Sequence, residues 1–574
     1  MTHAGRLLAL ASVAVAFAAA DTYVVVLALP DMMQGVGLPI DQLQQAAPIV
    51  SGFLLGYVAL LPLIGRLTDL RGRVPLLVAG LVVFALGSLV TSLSYSLTVL
   101  VIGRFLQGLG GGALVPATLA LVADLYPAER RGVPLGIVSG VQELGAVLGP
   151  LLGALILTVA DWRVIFAVNL VVGVVLAIAI RRVGANTVPT RRICTPTRWP
   201  DALGALLALL TLLGGGLVFV EPQQVMRSVT WGTLYIPHLG DGRWGTDLGL
   251  ATIVLAVAFV VRCWLAPRPL VDLRGWVASL RAVDLTGAVL LALVLAGIVL
   301  AFATADPEQA VLSARSGWYL LGSAIALVAL LIHLRRAEDP LIPASALRRT
   351  PAWGAIVVSF LVGVALVAAL VDVPLFARTT VDTGSQLDAA LVLVRLLVAV
   401  PVGAVVGGYL VRRLPEGAVA AAGMALAAVG FVLMTRWDPD ALHHAAATIP
   451  MVIAGLGFGL ALAPVNSAVL AATDEALHGL TTSLVVVARM VGMLVGISVL
   501  TEVGMRAYFH ATAGIPSLSQ VCGGGGYCSA YGDLLQAAGV AQEHAVFAGA
   551  AVAAVVAAGV ALATLLRSGH ARLP

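Results

Sequence analysis

The sequence predicts an all-α integral membrane protein of about 16 transmembrane helices, and three observations predict it. Of its 574 residues, 60% are hydrophobic and only 11% are charged, where a soluble domain carries roughly 25% charged residues. Mean hydropathy is +1.03. Apolar runs recur along the whole chain at the ~20-residue length that spans a bilayer, and sixteen of them take about 320 residues, leaving short connections. This is the scale of a polytopic transporter, and it excludes both a soluble enzyme and a disordered chain.

In order, the runs fall at 7–29, 47–65, 74–93, 97–123, 132–159, 163–180, 202–220, 247–265, 285–304, 317–334, 352–375, 387–411, 417–435, 446–472, 480–504 and 545–566. The first is not a cleavable signal, because it is long, contains Asp21 and lacks a small-residue cleavage site. Arginine placement orients the chain, since basic residues concentrate in cytoplasmic connections. With the N-terminus inside, the inner connections hold clusters such as Arg66, Arg71, Arg73; Arg130, Arg131; Arg181, Arg182, Arg191, Arg192, Arg198; and Arg335, Arg336, Arg348, Arg349. The outer connections hold mostly isolated ones, including Arg163, Arg227, Arg243, Arg315, Arg378, Arg436 and Arg506. Both termini are therefore expected in the cytoplasm, which an even helix number requires. The net charge of +4 follows from this topology and calls for no nucleic-acid partner.

The middle of the chain repeats itself. DALGALLALLTLLGGGLVFV begins at Asp201 and DLTGAVLLALVLAGIVLAFA at Asp284. Each is followed by a polar connection, another apolar run, and a similar closing phrase, PRPLVDL at 267–273 and EDPLIPASAL at 338–347. We read a duplicated hairpin; chance similarity between Ala/Leu-rich helices is the alternative. The layout becomes an N-terminal six-helix bundle over 1–182, a first inserted hairpin with flanking loops over 183–283, a second over 284–350, and a C-terminal six-helix bundle over 351–574 with a Cys-containing outer loop at 505–544. The inserted hairpins are expected outside the two bundles.

All 33 basic residues are arginine, because lysine is absent. A Walker A phosphate loop needs Gly-Lys-Ser/Thr, so no ATP motor of that type is built in, and a lysine Schiff base is excluded. No HExxH occurs, and no membrane-centred serine–histidine pair offers itself. Cys522 and Cys528 bracket CGGGGYC in the last outer loop, where an oxidising compartment favours a disulfide over two unpaired thiols. Cys194 and Cys263 lie on the inner side and are expected to be inert.

The connection after the second run reads GRLTDLRGRVPLL from Gly65 to Leu77. Gly65 permits close helix approach, Asp69 can face a helix N-terminus and pair with arginine, Gly72 allows a tight turn, and Arg73 supplies the charge. Such a group can latch one conformation and release another. RFLQGLGGG stands at 104–112 and GAVLGPLLGA at 145–154. Together these phrases resemble the signatures of the major facilitator superfamily, with Val74 where a basic residue is usual. The resemblance implies two six-helix bundles, and the Gly-Pro phrase implies the antiporter branches and export. The drug:proton antiporter branch carries an extra central hairpin where this chain carries two. DTYVVV at 21–26, QELGAVLGP at 142–150, LVDVPLF at 370–376 and HGLTTSLVVVARMVGML at 478–494 are similar to the mycobacterial triacylglyceride and multidrug exporters within it. That branch works with a lipid-carrying lipoprotein, which the resemblance implies as a partner here. The connection RWDPDALHH at 436–444 is shorter than that branch's outer extension.

The residues speak independently of the family. A charge at the bilayer centre costs about 2.5–3.5 kcal/mol on insertion scales and faces a cavity or a partner. Asp21, Arg104, Glu143, Asp372, Arg395 and Arg489 are such residues. Histidine is absent from the predicted membrane centres, so carboxylates are the natural proton carriers. Asp21 is the first candidate, since burial and a nearby arginine act on a carboxyl in opposite directions; a permanent ion pair is the alternative. Glu143 is a second proton site or a substrate contact, and Arg489 can pair with either carboxylate. The resemblance implies proton coupling for Arg104. Asp372 stands near the outer boundary, where a solvated carboxylate is ordinary; Arg395 serves anionic headgroups or pairs with Asp372. Gly145, Gly149, Pro150 and Gly153 form a hinge or a flat packing face. Gly407, Gly408, Arg412 and Arg413 echo the first latch in the second half, with Val411 in place of Asp69, so the charge latch belongs to the first half.

The expectation is a proton-gradient-driven exporter of hydrophobic or amphipathic molecules in a bacterial inner membrane. It needs no cofactor or metal, and its surroundings are membrane lipids. An uncoupled facilitator or importer, and a non-transporting sensor or scaffold, stay open as alternatives.

Overall fold

A computed structural model describes residues 3–38, 43–184, 201–228, 230–238, 243–267, 269–303, 316–380, 386–523 and 528–566. Arg191, Arg192, Cys194, Arg198, Arg268 and Arg315 lie outside the described residues, as do the side chains of Pro150 and Arg378. The described residues are helical, without strands.

The first half comprises α1 (His3–Gly35), α2 (Leu43–Ala59), α3 (Leu61–Arg71), α4 (Arg73–Ser92), α5 (Leu97–Leu125), α6 (Gly132–Leu157) and α7 (Arg163–Gly184). The middle holds α8 (Ala202–Val220), α9 (Gln223–Met226), α10 (Asp247–Leu265), α11 (Leu273–Arg281), α12 (Leu285–Ala303), α13 (Ser316–Arg336) and α14 (Ala344–Leu347). The second half comprises α15 (Thr350–Thr380), α16 (Gln386–Leu397), α17 (Ala399–Leu410), α18 (Glu416–Met434), α19 (Thr448–Ala472), α20 (His478–Thr512), α21 (Leu518–Val521) and α22 (Ser529–Leu565). Among the described residues, 15 helices are long and apolar enough to cross a membrane, and the pair formed by α2 and α3, bent by 42°, makes a sixteenth span. The sixteen apolar runs thus each meet a spanning helix.

Small residues set how closely these helices pack. Gly145 and Gly149 of α6 abut the backbone carbonyls of Ala16 and Ala20 of α1, and Gly153 meets the Val24 side chain. The glycine spacing therefore serves as a packing face against α1. Between the halves, Gly132 and Gly408 lie backbone to backbone, Gly136 meets the carbonyl of Ala404, and Gly140 meets Pro401. The seam between α6 and α17 is closed at this end, which also carries the 65–73 segment; we call it the latch end.

The two inserted hairpins are built alike. Both begin with Asp-x-x-Gly, in which the carboxylate accepts the backbone N–H three residues on and caps the helix. Asp201 Oδ1 accepts from Gly204 N at 3.1 Å, and Asp284 Oδ1 from Gly287 N at 2.8 Å. Each aspartate is also clasped by a basic residue of the following long helix. Arg262 Nη2 lies 3.0 Å from Asp201, and His333 Nε2 lies 2.8 Å from Asp284. The third Asp-x-x-Gly, at Asp272, caps α11 with a 3.0 Å bond from Gly275 N.

The hairpins differ in placement. Helices α8 and α10 are largely uncovered, whereas α12 packs against both α2 of the first half and α20 of the second. The second hairpin therefore lies along the seam between the halves, packed against each of them. Its aspartate is held below the usual carboxylate range: burial works against ionisation, but the bonds from Gly287, His333 and Leu341 together outweigh it.

The last two long helices exceed their apolar runs. α20 has 35 residues and α22 has 37, about 50–55 Å at 1.5 Å per residue, against ~30 Å of hydrocarbon. Between them Cys522 and Cys528 are disulfide-bonded, Cα to Cα 5.8 Å. This is the disulfide end. Cys263 is a buried free thiol.

Candidate functional site: a buried ionic network between two half-molecules

Asp21 on α1 is wholly enclosed, its side chain 0% exposed. Arg104 Nη1 of α5 stands 2.8 Å from its Oδ2. The amide of Asn169 on α7 donates to Oδ1, and Gln107 Nε2 donates to the same oxygen at 3.4 Å. Gln107 is itself held by Ser88 Oγ at 3.0 Å and Thr91 Oγ1 at 3.1 Å, and its Oε1 accepts from Arg104 at 3.0 Å. The guanidinium lies 4.3 Å over the Phe53 ring. The network joins α1, α4, α5 and α7 within the first half. Arg104, the residue for which the family likeness implied coupling, is the direct partner of Asp21.

The second ion pair crosses between halves. Arg489 Nη1 of α20 is 3.3 Å from Glu143 Oε1 of α6, with side chains only 7% and 8% exposed. Of the two carboxylates open to Arg489, the fold selects Glu143. Both line a small cleft of about 30 Å³ with Phe53, Tyr57, Leu366 and Met493. Its wall is mainly apolar, with the ion pair, Thr22 and Gln142 as polar features.

At the latch end, Gly65 lies so close to α20 that a methyl there would stand 2.5 Å from the Gly479 carbonyl oxygen. Asp69 Oδ1 accepts from Gly479 N at 2.7 Å and Oδ2 from Leu480 N at 3.0 Å, the first N–H groups of α20, where a carboxylate meets the positive helix end. Arg73 reaches Asp69 at 3.5 Å and Asp124 at 3.1 Å, and donates to the Glu475 carbonyl at 3.3 Å. Arg66 donates to the Ala476 carbonyl at 3.2 Å. Gly72 has φ +93, which lets Arg73 start α4 directly after α3. The latch segment thus bonds to the opposite half.

Two expectations are corrected. Asp372 is 8% exposed and is not a solvated boundary carboxylate, because α15 and α22 pack around it. Arg395 does not pair with Asp372; it is exposed and its nearest described partner is Thr448 Oγ1 at 3.5 Å.

Several partners escaped the sequence. After the opening Arg163, Asn169 is the one polar side chain in the 163–180 run, which was the signal. Glu543 sits two residues before the last run as drawn. Arg71 is bound by Asp272 at 2.9 Å and lies 4.4 Å over Trp276, so the short α11 is strapped onto the latch segment; its nine residues were too few to register as a span.

Two helical halves joined by a buried ion pair, with a mainly apolar cleft between them, an enclosed ionic network in one half and a charge latch at one end, define the class: a multi-pass membrane transporter. The profile of the Major Facilitator Superfamily matches residues 11–334 and 273–497, and the chain belongs to that superfamily. It is 35% identical over 514 residues to the triacylglyceride transporter of Mycolicibacterium smegmatis, covering 87% of this chain and 75% of the relative. It is 33% identical over 536 residues to the triacylglyceride transporter of Mycobacterium tuberculosis, covering 89% and 85%. Among solved structures it shares its fold with the human organic anion transporter TETRAN (TM-score 0.54, 14% identity, 98% and 100% covered). It does so too with the proton:xylose symporter XylE (TM-score 0.52, 12% identity, 96% and 94% covered).

Proposed function

We propose that this protein is a proton-coupled exporter of hydrophobic or amphipathic molecules, triacylglycerides and apolar drugs among them. It would reside in a bacterial inner membrane with both termini cytoplasmic, so that the latch end faces the cytoplasm. The proton gradient supplies the energy, and no cofactor is required. The observation that carries the reading is the Asp21–Arg104 pair, a carboxylate enclosed in one half within a polar cage and next to an apolar cleft. A proton on Asp21 releases Arg104 from its partner; loss of the proton restores the pair. A ligand shifts a two-state equilibrium only by its differential affinity, so protonation must be more favourable in one accessibility state than in the other. Glu143–Arg489 then supplies the cross-half contact that substrate entry disturbs.

The relatives named triacylglyceride transporters support a lipid substrate, and the mainly apolar cleft wall suits an acyl chain better than a sugar. A lipid-carrying lipoprotein at the disulfide end would accept the exported molecule. The test is transport in proteoliposomes under an imposed pH gradient, with a triacylglyceride and a dye as substrates. The wild type should export both, and Asp21→Asn should abolish the gradient-driven component. Undiminished flux in Asp21→Asn would identify an uncoupled facilitator and overturn the coupling.

A further inference from the structure

A second pair of carboxyl groups lies apart from the network above, within the second half. Glu543 of α22 is 1% exposed and Asp372 of α15 is 8% exposed. Glu543 Oε2 is buried and makes no hydrogen bond; Gln536 Nε2 of α22 donates to the Thr379 carbonyl of α15 at 3.0 Å and Gly354 meets Thr564 farther along the same pair, an antiparallel register that brings Glu543 level with Asp372. Each carboxyl stands one helical turn before an aromatic residue, Phe376 and Phe547, whose rings are 6.5 Å apart. Trp437 closes that wall at 5.3 Å from Phe376 and 5.9 Å from Phe547.

Among the described side chains, the basic groups of the surrounding elements are bonded elsewhere or exposed. On α20, Arg506 is bonded to Glu502 at 2.7 Å and Arg489 to Glu143. His544, next to Glu543, points its Nε2 at the Trp437 carbonyl, 2.7 Å away. Arg395 of α16 turns to Thr448. On α18 the acidic Glu416 is at the latch end, and Arg436 follows the helix in the exposed turn. Among the described residues, no arginine or histidine forms an ion pair with either Asp372 or Glu543.

A buried charge demands a partner, and two like charges facing each other in a low-dielectric site do not both ionise. We propose that Asp372 and Glu543 hold one proton between their carboxyl groups, forming a second protonation site contained in the second half. The proton comes from solvent and sits as O–H on one group while the other, as carboxylate, accepts its hydrogen bond; the pair titrates as a unit. No bond in the chain breaks. Because both helices belong to one half, this site loads independently of the rocking that makes and breaks the Glu143–Arg489 contact.

The test is infrared difference spectroscopy of the full chain in liposomes, titrated from about pH 6 to about pH 9, above the ordinary range of free carboxyls. The wild type should show a carboxylic-acid carbonyl band that persists at neutral pH. The band should survive in Asp21→Asn, which separates this site from the coupling reading, and vanish in the double variant Asp372→Asn/Glu543→Gln. Where the double variant does not fold, Glu543→Gln alone should move the band, because the acid at Asp372 then bonds to an amide. A double variant spectrum that superimposes on wild type, or a single variant that leaves the band in place, overturns the proposal. So does a wild-type band that appears only when sodium is withdrawn, since a metal cation would then occupy the pair.

Discussion

Replacing Asp69 by asparagine removes the charge of the latch while keeping its size. In the structure Asp69 accepts two backbone N–H groups of α20, at 2.7 and 3.0 Å, and faces Arg73 at 3.5 Å. An amide can accept from only one of these N–H groups and turns its own N–H toward the other. The loss is about one charge-assisted hydrogen bond, roughly 1.5–3 kcal/mol, plus ~0.3–1 kcal/mol of interaction with the helix N-terminus. Arg73 retains Asp124 at 3.1 Å, which limits the further cost. A net of about 2–3 kcal/mol against the latched state, at 1.4 kcal/mol per tenfold, shifts the equilibrium roughly 30- to 150-fold toward opening at this end. The contact joins α3 to the opposite half, so it acts only while the halves meet there. Spin labels placed on the α3 and α20 sides of the latch, read as a distance distribution in liposomes, should gain a long-distance population in Asp69→Asn. An unchanged distribution would refute the claim that these bonds hold the latch end shut.

Three further outcomes follow from the same contacts. Arg489→Met leaves Glu143 buried without its cation and should destabilise the protein by about 3–5 kcal/mol, while the double change Glu143→Gln/Arg489→Met should recover most of the loss, as thermal unfolding in detergent will show. Gly149→Val should prevent α1 and α6 from seating, because its first side-chain carbon meets the Ala20 carbonyl; monodisperse yield should collapse, whereas Gly216→Ala, with open space around it, should leave it unchanged. Asp284→Ala should loosen the second hairpin by about 1 kcal/mol through the lost cap. Because the Asp284 carboxyl is held below its ordinary range, its contribution is present above about pH 4 and is lost as pH falls further; thermal unfolding in detergent across acid pH, compared with Asp284→Ala, measures it.

The sequence alone determined the span number, since a bilayer imposes one length on every crossing helix and apolar runs record it directly. The repeated phrases at Asp201 and Asp284 were legible too, because Asp-x-x-Gly is a local cap contained in four residues. The latch chemistry was legible in Gly65, Asp69, Gly72 and Arg73 for the same reason. Only the tertiary structure decided the partners. Asp21 lies 83 positions from Arg104, and the preference of Arg489 for Glu143 depends on how α6 and α20 face one another. The buried state of Asp372 arises because α22 continues as a helix well before its apolar run begins, bringing Glu543 against α15. Hydropathy reports which segments belong in lipid, but a helix holds its own hydrogen bonds and can extend past that boundary. The seam position of α12 likewise depends on the fit between helix surfaces, which composition does not encode.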